Sequence, residues 1–70
     1  MRIRNTVAWV GDTNRVVILR LDAEFGPMVL TGEAAALWMA AAQADQALFM
    51  ARMRANPKVA ADLEWYGLLV

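Results

Sequence analysis

An α+β fold, a three-stranded antiparallel sheet followed by two or three helices, is predicted by three observations. Residues 3–10 alternate in polarity and lead through Gly11-Asp12-Thr13-Asn14 into the β-branched run 15–21, a hairpin signal. A second turn-like stretch, Asp22-Ala23-Glu24-Phe25-Gly26, precedes a short apolar run that opens on Pro27. From Thr31 onward, cap and breaker residues punctuate runs with helical rather than alternating periodicity.

In the first strand, Ile3, Val7 and Trp9 fall on one side and Arg4, Thr6 and Ala8 on the other, with Asn5 interrupting the apolar side. The third strand is Pro27, Met28, Val29 and Leu30. Proline cannot donate to a sheet ladder, so its place at the strand start suits an edge. With two tight connections the strands form a meander in chain order, and the first and third are its edges. The third strand is then open to pairing.

Thr31 stands where it can cap the next helix, with Glu33 in the first turn complementing the helix dipole. Ala34, Leu37, Trp38 and Ala41 make one apolar stripe. Residues 43–46 interrupt the apolar run, and Asp45 can cap a second helix through Ala55 that buries Leu48, Phe49 and Met53. Nothing there forbids one continuous helix. Asn56-Pro57 is a firmer boundary, because proline suits a first helical turn and the residue before it avoids helical geometry. A last helix over residues 57–66 presents Val59, Leu63 and Tyr66 on one side. Gly67 ends it as a left-handed cap, with Leu68 or Leu69 folding back.

The chain has 70 residues, enough for one domain with a thin core, yet 60% of its residues are apolar. Apolar surface is therefore left for a partner. Seven bases balance seven acids, and Lys58 is the one lysine. That balance argues against nucleic acid, whose readers neutralise phosphate with basic side chains. Residues 1–5 lack the apolar core of a secretory signal, and the apolar run 34–42 is too short to span a bilayer. No membrane role and a cytoplasmic location are the expectations, the latter also fitting the absence of cysteine.

Catalysis fails on inventory. The sequence has no His, Cys or Ser, so the common nucleophiles, proton shuttles and soft metal ligands are missing. The acid pairs Asp22/Glu24 and Asp62/Glu64 sit two residues apart, and nothing near them in sequence is set to perturb their protonation. Gly11, Gly26, Gly32 and Gly67 are scattered and form no phosphate-cradling loop. A binding protein with no catalytic residues, no metal and no cofactor is expected.

Three short strands, a helix entered through Leu-x-x-x-Ala-Ala-x-Leu-Trp and a terminal Tyr-Gly-Leu-Leu together resemble one family. The chain is similar, over roughly residues 7–69, to the PqqD-like family, also called the RiPP recognition element. Its members often read a small pair, an aliphatic residue and Trp in the first helix, here Ala34, Ala35, Leu37 and Trp38, and commonly finish as Gly67, Leu68 and Leu69 do. The stretch from Trp38 to Gly67 is shorter than members usually have, so the second or third helix is trimmed. The resemblance implies a small winged-helix-like domain that binds the leader segment of a ribosomally made precursor peptide. The leader adds a strand to the third strand, lies against the last helix, and is presented to a separate peptide-modifying enzyme.

An open sheet edge offers backbone N–H and C=O groups, while neighbouring side chains form pockets for alternate ligand residues. The candidate peptide-binding residues are accordingly Pro27, Met28, Val29 and Leu30 on the edge, Val59, Leu63 and Tyr66 on the last helix, and Asp62 at the rim, where it would meet a basic side chain. For each of these a packing or solvated role is the alternative. Trp38 is read as core. Trp65 and Tyr66 point about 100° apart around a helix, so one of them is free for a partner. Met39, Met50 and Met53 serve as core gap-fillers or adaptable contacts. Two alternative functions remain: a winged-helix DNA binder, whose Asp62 and Glu64 beside Lys58 would repel phosphate, and a structural subunit forming a homodimer or larger assembly.

Overall fold

Backbone hydrogen bonding defines strands β1 (Val7–Gly11), β2 (Arg15–Arg20) and β3 (Met28–Thr31), then helices α1 (Gly32–Ala42), α2 (Gln46–Ala55) and α3 (Pro57–Trp65). The computed structural model describes residues 2–22, 24 and 26–70; Met1 of the N-terminal stretch and Ala23 and Phe25 of the second predicted turn lie outside them. The sheet is antiparallel throughout, in the order β1-β2-β3. The α+β meander expected from the sequence is the fold observed.

The hairpin between β1 and β2 is closed by Asp12, whose Oδ1 accepts from the backbone N–H of Asn14 at 2.8 Å and of Arg15 at 3.2 Å. Gly11 is required beside it, because a Cβ there would sit 2.1 Å from the Arg15 carbonyl oxygen. The first strand starts at Val7 rather than Ile3. Asn5 and Thr6 form a turn, with the Val7 N–H donating to the Arg4 carbonyl at 3.2 Å, and this splits the alternating run. The residues before the turn pair elsewhere. Arg2 N–H donates to the Val70 carbonyl at 2.6 Å, Val70 N–H donates back at 2.7 Å, and Ile3 bridges Leu69.

Register puts Trp9 opposite Ile18 and Val16 opposite Leu30, so these side chains share the face that the helices cover. Val16, Ile18 and Leu30 join Leu37, Trp38, Phe49, Leu63, Leu68 and Leu69 in one buried cluster. Trp38 is fully buried at its centre, and Trp9 meets it edge to face at 6.2 Å and 78°. The Trp38 Nε1–H has no hydrogen-bond partner among the described residues, so Trp38 contributes by packing alone.

Helix α1 differs from expectation at its start and on its inner face. Thr31 occupies the N-cap position but its side chain makes no capping bond. Gly32 follows with φ of 58°, a left-handed residue between Thr31 and the rest of the helix. The buried residues are Ala35, Leu37, Trp38 and Ala40, with Ala34 and Ala41 half-buried. α1 packs against the sheet, α2 and α3 at once, so more than one stripe of this nearly all-apolar helix is covered.

α1 and α2 are separate helices. Ala44 breaks them with φ of 55°, and Asp45 then caps α2 by accepting from the Leu48 N–H at 3.1 Å. Of the residues expected inside α2, Phe49 is buried, Met53 is half-buried and Leu48 is exposed, because α2 meets only the other two helices. α3 starts on Pro57 and ends in a Schellman turn. There Gly67 N–H donates to the Glu64 carbonyl at 2.9 Å and Leu68 N–H to the Leu63 carbonyl at 3.0 Å, with Gly67 at φ of 74°. Leu68 and Leu69 both fold back into the core.

Candidate functional site

The strand order leaves β3 at an edge, and among the described residues no strand pairs with its far side. Such an edge carries backbone donors and acceptors aimed away from the sheet. Residues of α3 face it across a gap floored by α1. Between them is a groove of about 190 Å³ lined by Met28 and Leu30 of β3, Ala34 of α1, and Val59, Asp62, Leu63 and Tyr66 at α3. Alternation along β3 explains the strand's share of this lining, because Met28 and Leu30 are on the inner face. Helical spacing explains Val59, Leu63 and Tyr66.

Six of the eight residues singled out in the sequence are thus brought together. The other two are not. Val29 alternates onto the outer face of the sheet, where it is exposed, and Pro27 borders a separate groove on that face with Val10, Val17 and Leu19. Asp62 lines the groove with an exposed side chain, and Lys58 one turn earlier lies 3.6 Å from its carboxylate.

Toward the start of β3 the groove opens into a wider space of about 500 Å³ lined by Arg20, Gly26, Met28, Trp65 and Tyr66. Met28 and Tyr66 border both parts. Trp65 is 81% exposed and packs edge to face on Tyr66 at 5.0 Å and 86°; both rings reach solvent, Trp65 the more so. Sequence reasoning missed Arg20 and Gly26. The signal was present for Arg20, which has the same parity as Val16 and Ile18 and so ends β2 pointing to the helix side.

Arg20 joins the sheet to the end of α3. Its Nε and Nη2 donate to the two carboxylate oxygens of Asp22 at 2.6 and 3.4 Å, and its Nη1 donates to the Tyr66 carbonyl at 3.1 Å. A Cβ on Gly67 would lie 2.5 Å from that Nη1, so Gly67 serves the guanidinium as well as the turn. Arg4 approaches Asp22 from the other side at 3.5 Å. The Arg20 guanidinium, hydrogen-bonded to Asp22, holds its carboxyl below the usual carboxylate range. The sequence suggested no such perturbation; the partner comes two residues earlier, across the strand end.

At the opposite end, Glu33 of α1 accepts from Asn56 Nδ2 at 3.2 Å and pairs with Arg52 at 3.7 Å, tying the start of α1 to the α2–α3 junction. Among the described residues no cluster of three or more His, Cys, Asp or Glu is placed to hold a metal ion, and no helix is long and apolar enough to cross a membrane. No family model matches this sequence, and no curated protein or solved structure matches it.

Proposed function

We propose that this protein binds the leader segment of a ribosomally synthesised precursor peptide by strand addition to β3 and presents it to a separate modifying enzyme. The observation that carries the reading is the union of an unpaired sheet edge with an apolar groove beside it, lined by Met28, Leu30, Val59, Leu63 and Tyr66. Backbone pairing on the edge supplies affinity without sequence, and the groove selects alternate side chains. The PqqD-like resemblance of Ala34, Ala35, Leu37, Trp38 and the Gly67-Leu68-Leu69 end supports the same surface. The protein makes no bond itself. It raises the local concentration of precursor at the enzyme, so weak contacts to the rest of the peptide suffice.

The test is titration of isotope-labelled protein with the leader of a short precursor encoded beside it, and the absence of any such precursor refutes the reading. Amide shifts confined to β3 and α3 are expected; shifts elsewhere, or none, refute the reading. A second reading, self-association, is favoured by the outer sheet face, where Val10, Leu19 and Val29 are exposed together. Sedimentation at several concentrations, with and without leader, separates the two.

A further inference from the structure

The sheet has one covered face and one bare one, yet its strands have the composition of strands covered on both. Residues 16–19 of β2 read Val-Val-Ile-Leu and residues 7–10 of β1 read Val-Ala-Trp-Val, without the polar alternates of a strand that faces water. Register and alternation send Val16 and Ile18 to the helices and gather Ala8, Val10, Val17, Leu19 and Val29 on the outer face. There Val10 is 70% exposed and Val29 51%. A shallow depression of about 340 Å³ lies among Ala8, Val10, Val17 and Leu19, and their exposure shows that no helix among the described residues covers it.

Charge marks what fits there. None of the five residues is ionisable, and the same alternation along β2 adds one charged side chain, Arg15, at the hairpin end. Glu24, exposed in the connection from β2 to β3, stands at the opposite end. Neither makes an ion pair among the described residues. A covering surface must therefore be apolar and flat in its middle, with an acid over Arg15 and a base over Glu24. The outer face of a second copy, turned end over end, has that pattern. Stacking about an axis along the strands would instead set Arg15 on Arg15, a like-charge contact. Three strands about 4.8 Å apart and five residues long at about 3.3 Å each give a footprint of roughly 14 by 17 Å. That is smaller than the ~800 Å² a side of a standard interface, so the association is weak and concentration-dependent.

Resting on the self-association reading, we infer that two copies stack their outer sheet faces about a two-fold axis that lies between the sheets and perpendicular to the strands. β1 then lies over β1 and β3 over β3, about 10 Å apart. Centred on the patch, this sets Leu19 of each copy above Val17 of the other, while Arg15 of each reaches the Glu24 end of the other. The stacking uses side chains only. Both β3 edges keep their backbone groups free, and they lie on the same side of the dimer.

Sedimentation of the full chain from about 10 µM to about 1 mM tests this, and a reversible equilibrium between monomer and dimer is expected within that range. Val10→Lys weakens dimerisation by about tenfold or more, and Leu19→Thr by less, with circular dichroism spectra unchanged from the parent. At low salt Arg15→Glu weakens the dimer, and adding Glu24→Arg restores it, because the reversed pair is again a pair. A chain that stays monomeric throughout overturns both the stacking and the self-association reading, and leaves the face to a different partner such as the modifying enzyme. A dimer indifferent to Val10→Lys and Leu19→Thr is built elsewhere: the stacking falls and self-association stands. A dimer broken by those two changes but indifferent to Arg15→Glu overturns the end-over-end arrangement alone.

Discussion

Helices α1 and α3 end on the same pair of hydrogen bonds but with different residues at the turning point. In α3 the left-handed position is Gly67; in α1 it is Ala44, whose N–H donates to the Ala41 carbonyl at 3.2 Å while Asp45 N–H reaches the Ala40 carbonyl at 3.2 Å. A left-handed alanine costs about 1–2 kcal/mol where glycine is at ease. The α3 turn is thus stabilised by its own glycine and by Leu68 folding onto the core, with a long-range hydrogen bond from Arg20 of β2 to the Tyr66 carbonyl added. The α1 turn is held instead from α2, by the Asp45 cap and by Phe49 seated in the core. The end that borders the groove is the one that carries its own glycine.

The contrast is broken most severely at Leu68, which is fully buried. Leu68→Ala is expected to lower stability by about 2–5 kcal/mol in chemical denaturation, and a smaller loss would show that α3 closes without its fold-back contact. Gly67→Ala comes next, at about 1 kcal/mol or more, because it strains the backbone and pushes on Arg20; Asp22→Asn measured in the same background shows how much passes through the guanidinium. At the other turn, Asp45→Ala costs about 1 kcal/mol.

Ala44→Gly raises stability by about 0.5–1 kcal/mol, the relief of left-handed strain less the entropy glycine adds to the unfolded chain. No increase would mean that Ala44 is not strained. The smallest effect is one of pH. The Asp22 carboxyl is held below its ordinary value of 3.8, so its contribution is present above that pH and is lost as acidity protonates the folded form. Asp22→Asn therefore flattens acid unfolding below about pH 4 and leaves the α1 turn untouched.

Much of the site was legible beforehand because its periods are simple. Met28 and Leu30 follow from alternation, and Val59, Leu63 and Tyr66 from helical spacing after the Asn56-Pro57 boundary. Val29 and Pro27 were included by adjacency on the edge, and alternation then sent their side chains to the other face. The wide end of the groove was legible only in part: alternation places Arg20 on the helix side, but no local signal brings residues 20 and 26 beside Trp65.

By itself the sequence determined the element types, the chain-order meander, the Pro27-led edge, the burial of Trp38 and the glycine stop at the end of α3. These rest on local dihedral preference and on periodicity, which operate within a few residues. Tertiary structure alone decided that residues 2–4 leave the first strand to pair with the C-terminus, that alanine rather than glycine turns the chain after α1, and that Arg20 closes the far end of the groove. In each of these cases a weak or unfavourable local preference is overridden by backbone pairing, core packing or a charge contact between segments far apart in the chain.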